Sequence, residues 1–240
     1  MGKWKKHQLL DRDERIREHL PQTSLFTPDT LWQYLEQYAA VMLKPTGGGG
    51  GAGVIQVSQQ EDDQFRIHAG NQKRVVVGRK ATLAYLRSLF RPKPYLLQPR
   101  IPLGRINGRP FDLRVMLQRR KGVPWKVTGW LAKVAGPGYV VTNIARSHGR
   151  VLPLRTAIEQ STIKRPALEI LPDVRQVALM TAQRLGSVYP SLRIIGLDMG
   201  IDEDGKPWII EANFRPALSL FRKLPDSTSY KRIRFFQRTS

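Results

Sequence analysis

The chain has 240 residues, 41% of them hydrophobic, and no cysteine. That is apolar material for one large domain or two small ones sharing a core, and it excludes disulfides, thiolate metal sites and cysteine nucleophiles. Forty Lys and Arg against 19 Asp and Glu give a formal charge of +21, so the surface attracts polyanions.

No apolar run approaches the roughly 20 residues of a membrane span, and MGKWKKHQLL lacks the apolar stretch of a signal peptide, so a cytoplasmic location is expected. Residues 1–20 are basic and helical in flavour, with Leu9, Leu10, Ile16 and Leu20 as core contacts, and Pro21 stops them. Thr27-Pro28-Asp29 is a helix start: a capping hydroxyl, proline at the first position, an acid in the first turn. Leu31, Tyr34, Leu35 and Tyr38 follow at i, i+3, i+4 and i+7, predicting an amphipathic helix to about Ala40.

Val41, Met42 and Leu43 read as a short buried strand, ended by Lys44 and Pro45. Gly47, Gly48, Gly49, Gly50, Gly51 and Gly53 then form a loop with almost no Cβ atoms, and Val54, Ile55 and Val57 resume a strand. Backbone without side chains can approach an anion closely and aim N–H groups at it, and Lys44 adds positive charge at the mouth. The stretch therefore reads as a phosphate cradle in hairpin form. A flexible linker is the competing reading. No Gly-Lys-Ser/Thr closes the loop and no helix follows it, which sets aside the P-loop and the Rossmann fingerprint.

Strands are expected at Phe65–His68 and Arg74–Val77, turned at Gly70-Asn71, then a helix from Thr82 to Phe90 and a strand from Tyr95 to Gln98. Phe111 to Gln118 alternates, with Leu113, Val115 and Leu117 on one face and Asp112, Arg114, Met116 and Gln118 on the other. Trp125–Val134 and Tyr139–Asn143 read as its sheet partners, and residues 146–171 as loop with short helical turns. Asp173–Val188 is a helix, Arg193–Ile201 and Lys206–Asn213 a strand pair, and the tail from Lys223 is basic.

The last strand pair carries the second chemical signal. With Asp204-Gly205 as a two-residue turn, Glu203 faces Lys206, and counting outward sets Asp198 opposite Glu211, with Asn213 on the same face. Gly196 and Gly200 flank Asp198 and leave space above it, while Leu197, Met199, Ile201, Ile210 and Ala212 form the core face. Two opposed carboxylates repel unless a cation lies between them, and oxygen-only ligands under an open pocket suit Mg²⁺. An odd-numbered turn would separate the pair. A solvated polar face is the competing reading.

In this order, KPTGGGGGAG, FDLR and GLDMGIDEDGKPWIIEAN resemble the ATP-grasp superfamily. With KWKKHQLL, LPQT, TGW and VVTN, the branch it is most similar to is the YheC/YheD family of endospore coat-associated proteins. The resemblance implies an α+β ATP-grasp fold, two α+β subdomains with antiparallel sheets clamping a nucleotide, in a compact form. Its organisation would be a helical lead-in over 1–40, a small subdomain with the glycine flap over 41–98, a C-terminal subdomain with the metal site over 99–222, and a basic tail over 223–240.

Carried over by residue, the resemblance implies that Lys3 and Lys44 reach the ATP phosphates and Gly47–Gly53 cover them. Gln98, Pro99, Arg100 and Ile101 would be the adenine hinge, with Gln98 where relatives often have glutamate. Asp112 and Arg114 match a D-x-R motif that orients substrate or phosphate, and a plain ion pair within the strand is the alternative. Lys133 would face the γ-phosphate, and Asn143 precedes the loop Arg146-Ser147-His148-Gly149. Asp198, Glu211 and Asn213 would hold Mg²⁺. Gly196 stands where some ligases have an arginine, which passes that role to a group such as Arg215.

The implied activity is an ATP- and Mg²⁺-dependent carboxylate–amine ligase acting through an acyl phosphate, with unknown carboxylate and amine substrates. From another class comes a non-catalytic nucleotide-binding or structural spore coat component, its basic surface joining anionic coat components. A nucleic-acid module is the weakest reading, because no helix-turn-helix, zinc finger or aromatic RNA platform is legible.

Overall fold

The structure is a computed structural model that describes residues 2–61, 63–139, 141–142 and 144–238, with backbone alone at 145 and 146. The chain opens with helices α1 (Lys3–Asp11) and α2 (Glu14–Arg17), strand β1 (Ser24–Leu25) and α3 (Pro28–Gln37). Next come β2 (Ala40–Pro45), β3 (Ile55–Gln59), β4 (Gln64–Ala69), β5 (Gln72–Val77), α4 (Arg79–Leu89) and β6 (Tyr95–Pro99). These strands make one antiparallel sheet in the order β1-β6-β2-β3-β4-β5.

Local chemistry explains the first half well. Thr27 accepts from the backbone N–H of Thr30, and Thr30 returns the bond, a reciprocal cap that starts α3. The helix ends at Gln37, short of the expected Ala40, because Tyr38 is already extended. Leu31, Leu35 and Leu86 from α3 and α4 pack against Val41, Leu43, Ile55, Val57, Phe65 and Ile67, which fills one face of the sheet.

The second half contributes β7 (Arg105–Ile106), β8 (Arg109–Gln118), β9 (Lys126–Val134), α5 (Ile144–Ser147), β10 (Arg150–Leu152) and α6 (Leu154–Glu159). It finishes with α7 (Ala167–Val188), β11 (Ile194–Ile201), β12 (Pro207–Asn213), a 3₁₀ turn at Ser219–Lys223 and α8 (Thr228–Arg238). The second sheet runs β10-β9-β8-β11-β12, all antiparallel, with β7 paired beside β8. On its core face Leu113, Val115, Leu117, Leu197 and Met199 meet Val174, Val177, Ala178 and Leu185 of α7, joined by Leu10, Ile16 and Leu20 from the N-terminal segment. Among the described residues, no helix is long and apolar enough to cross a membrane.

Two expectations are corrected here, and the place of the tail is settled. The partner of β9 is β10, not Tyr139–Asn143; Val140 and Asn143 lie outside the described residues, and Tyr139, Val141 and Thr142 are not in a strand. Helix α7 begins at Ala167 and runs through Pro172, six residues before the expected start, because Leu168, Glu169 and Ile170 already form its first turn. The basic tail is docked: Ile233 of α8 and Phe221 pack on Met116 and Leu131. Met116 shares a face with Asp112 and Arg114, so the tail covers one end of the face that carries the site.

Candidate functional site

A cavity of about 850 Å³ lies between the two sheets, within the size range of small-molecule sites. One wall is a row of consecutive cross-strand partners, Gln98, Met42, Gln56, His68 and Lys73. The other wall is the polar face of β8, β9, β11 and β12, where Asp112, Arg114, Lys133, Asp198, Glu211 and Asn213 converge. His68 Nε2 lies 2.9 Å from the Gly138 carbonyl and ties the walls together.

Asp198 is opposite Glu211, yet not by the expected route. The turn has three residues: Asp202 pairs with Lys206 through Asp202 N–H to the Lys206 carbonyl at 3.1 Å, and Gly205 adopts φ +88°. Asp202 enforces this turn, because its carboxylate accepts the backbone N–H groups of Asp204 and Lys206 and the Trp208 indole N–H. An odd turn alone would send Glu211 to the core face. A β-bulge restores it: the register steps from Met199↔Ile209 to Asp198↔Glu211, leaving Ile210 as the extra residue. Consequently Ile209, not Ile210, joins the core, and Ile210 lines the cavity.

The open space expected above Gly196 and Gly200 is filled. A Cβ at Gly196 would lie 2.4 Å from Pro216 Cβ, and one at Gly200 would lie 2.3 Å from Leu103 Cδ2. These glycines admit neighbouring protein, not ligand.

Asp198 is held on every side. Arg114 binds it in a bidentate fork at 3.0 Å and 3.0 Å, Lys133 Nζ lies 2.8 Å away, and the Asn213 amide donates at 3.1 Å. Burial opposes ionisation of Asp198, but Lys133 and Arg114 outweigh it and hold its carboxyl below the usual range. Asp112 shares Lys133 at 2.9 Å and accepts from Thr142, but burial pushes its carboxyl up against that pull. One cation thus serves two buried carboxylates, and Asp198 has the larger share.

Glu211 is freer, with a side chain 23% exposed and Lys3 Nζ at 3.6 Å. Lys44 donates to Gln98 Oε1 at 2.6 Å, and Gln98 is itself anchored to Thr23 at 2.8 Å. Burial pushes the Lys44 ammonium down to about 8, against the pull of Glu211. In the flap, Gly48, Gly50, Gly51 and Gly53 have φ between +65° and +89°, which a side chain would resist. A Cβ at Gly48 or Gly49 would meet nothing, while one at Gly51 would press on Val141 at 3.2 Å.

Pro99, Arg100 and Ile101 line the cavity beside Gln98, and exposed Arg215 stands at its rim. Asn143 lies outside the described residues. His148 is exposed and not part of the lining. Sequence reasoning missed Lys6, whose ammonium donates to the Ala212 carbonyl and sits over the Phe214 ring at 4.8 Å, and His7, His68 and Thr142. A signal for His68 existed: it occupies a polar slot beside Ile67 on a strand whose other face is core.

No cluster of three or more Asp, Glu, His or Cys occurs among the described residues. A divalent ion at Glu211 and the Asn213 amide oxygen would therefore draw most of its ligands from phosphate and water, as Mg²⁺ does. That donor set fits Mg²⁺, with Asp198 able to join only by releasing one of its present partners.

The YheC/D like ATP-grasp family model matches residues 1–235. The endospore coat-associated protein YheD of Bacillus subtilis (strain 168) is 28% identical over 227 residues, which cover 92% of this chain and 49% of that protein. The solved structure of D-cycloserine synthetase DcsG aligns with a TM-score of 0.56 at 16% identity, over 98% of this chain and 70% of its own. ATP-grasp ligase PsnB, complexed with a phosphomimetic variant of minimal precursor, Mg and ADP, aligns at 0.53 and 13% identity, over 98% of this chain and 60% of its own. The chain thus spans 49% of YheD and 62% of YheC, a second curated relative that it matches. Two antiparallel sheets facing across a cavity, with these neighbours, make the fold α+β ATP-grasp.

Proposed function

Because the chain belongs to the YheC/D-like ATP-grasp family, we propose that it is an ATP- and Mg²⁺-dependent carboxylate–amine ligase. The observation that carries this reading is the pairing of Asp198 with Glu211 on the cavity face, across from Lys44 and the glycine flap. ATP supplies the phosphoryl group: a substrate carboxylate oxygen takes the γ-phosphorus, ADP leaves with the bonding pair, and an amine then displaces phosphate and loses a proton. The protein's part is positioning and charge neutralisation. Lys44 and Lys3 neutralise phosphate, and backbone N–H groups of Gly47–Gly53 approach it from above. Gln98–Ile101 present the extended backbone that pairs with adenine. Glu211 and the Asn213 amide oxygen would hold Mg²⁺, and Asp198 would join them on releasing one of its present partners. Lys133 and Arg114 face the transferring group, Asp112 orients Lys133, and Arg215 bounds the acceptor end.

A second reading is favoured by the crowding around Asp198, whose four hydrogen bonds leave no lone pair for a metal. On that reading the chain is a nucleotide-binding or structural component without turnover, joined to an anionic spore coat layer by its basic surface; the name of the YheD relative is the support for a coat association. The two part on one assay. ADP release with Mg²⁺, lost in both Lys44→Ala and Glu211→Ala, supports the ligase; no release under any acceptor supports the coat component.

A further inference from the structure

The nucleotide reading uses only half of the cavity. Lys44 of β2, Gln98 of β6, Asp198 of β11 and Glu211 of β12 line the part of it assigned to the nucleotide. The bond from His68 to Gly138 sets β4 against the end of β9. The part of this cavity lined by residues of β4, β5, β7 and β8 is the compartment that the nucleotide roles leave over.

Cations from five separate segments line this compartment: Arg66 of β4, Lys73 of β5, Arg100 after β6, Arg105 of β7 and Arg109 of β8. None makes an ion pair within 4 Å with a described carboxylate. Arg100 is half-buried, and burial together with the charge of Arg105 pushes its guanidinium down, with Glu203 a partial counterweight. Half-burying Arg100, Arg105 and Arg109 without a carboxylate partner is costly in the empty protein and favourable once an anion lies beside them, and the exposed Arg66 and Lys73 add positive charge across the cavity. A net charge of +21 puts cations on many surfaces, but here they face one another across a concavity that leads to the proposed phosphoryl-transfer residues.

We infer that this compartment takes an acidic peptide, with Arg66, Lys73, Arg100, Arg105 and Arg109 on its side-chain carboxylates while one further carboxylate reaches Lys133. The inference rests on the ligase reading and names its acceptor class. A carboxylate-rich chain supplies both the reacting group and the anchors. A nucleic acid would bring phosphates but would want stacking platforms, and apart from two histidines Tyr139 is the one aromatic ring in the described lining.

The test is anisotropy of fluorescein-labelled hexaglutamate titrated with the whole chain, beside binding of a fluorescent ATP analogue. Wild type binds the peptide, and Arg66→Ala/Lys73→Ala, both exposed positions, weakens it about tenfold. Lys231→Ala/Arg234→Ala on α8 changes it less than about twofold. No peptide binding, loss only in the α8 variant, or tighter binding of hexauridylate through Arg66 and Lys73 overturns the inference. The nucleotide arm separates the two readings: ATP bound without peptide sinks the acidic acceptor alone. Peptide bound through Arg66 and Lys73 without ATP binding sinks the ligase reading and leaves the cleft standing.

Discussion

Asp198 and Glu211 face each other across β11 and β12 because two departures from a regular hairpin cancel. A three-residue turn shifts the register by one, and the bulge at Ile210 shifts it back. Once the turn has three residues, period-two side-chain geometry requires such a one-residue step to keep both carboxylates on the cavity face.

Removing Asp198 strands two buried cations. Asp198→Ala leaves Arg114 and Lys133 with Asp112 as their nearest buried counter-charge, and breaking a buried pair by one partner costs about 3–5 kcal/mol. Urea unfolding at neutral pH measures it; a loss under about 1 kcal/mol would show that the ion network is not a structural unit.

Lys44 makes stability depend on pH in a definite direction. Its folded value is about 8 against an ordinary 10.5, so between those limits the unfolded chain binds the extra proton. Stability from this group therefore rises with pH across that window and is lowest below it. Lys44→Met gains on the order of 2 kcal/mol at pH 7, and the gain fades towards pH 10.5. Nucleotide affinity in wild type falls as pH climbs past 8, since the neutral amine attracts phosphate poorly; Lys44→Arg flattens that fall. A pH-independent affinity from 7 to about 9.5 contradicts the placement of Lys44 at the phosphates.

Within the flap, two glycines separate structure from binding. Gly51→Ala meets both a positive φ and Val141, and costs roughly 1–2 kcal/mol of stability. Gly49→Ala meets neither, so stability stays within about 0.5 kcal/mol while nucleotide affinity drops. Thermal unfolding and nucleotide titration of both variants check the contrast.

Gly200 yields a double-mutant test. Gly200→Ala drives a methyl into Leu103 and costs about 1–3 kcal/mol, and Leu103→Ala in the same chain relieves most of it. Additive losses instead would place the strain in the β11 backbone.

Short-range chemistry was readable where it acts alone. The Thr27 cap, the apolar spacing of Leu31, Tyr34 and Leu35, and the side-chain-free loop after Lys44 each follow from neighbours in sequence. The alternation along Phe111–Gln118 was legible too, although both faces are buried, one by core and one by the site and the C-terminal helix. The hairpin turn misled because Asp202 acts through its side chain on Asp204, Lys206 and Trp208, a set of bonds that no dipeptide preference records. Lys73, Arg105 and Arg109 share no signal in the sequence, since only the approach of the two sheets gives them a common cavity.

By itself the sequence determined most of the helices and strands, the flap's lack of side chains, the charge excess and the oxygen-only character of Asp198, Glu211 and Asn213, all properties of residue type and local spacing. Tertiary structure decided that Arg114 and Lys133 clasp Asp198, that Pro216 and Leu103 occupy the space beside Gly196 and Gly200, and that Arg66, Lys73, Arg100, Arg105 and Arg109 line the same cavity. Those outcomes depend on which distant segments meet, and pairing across 65 or 84 residues is set by the packing of whole sheets.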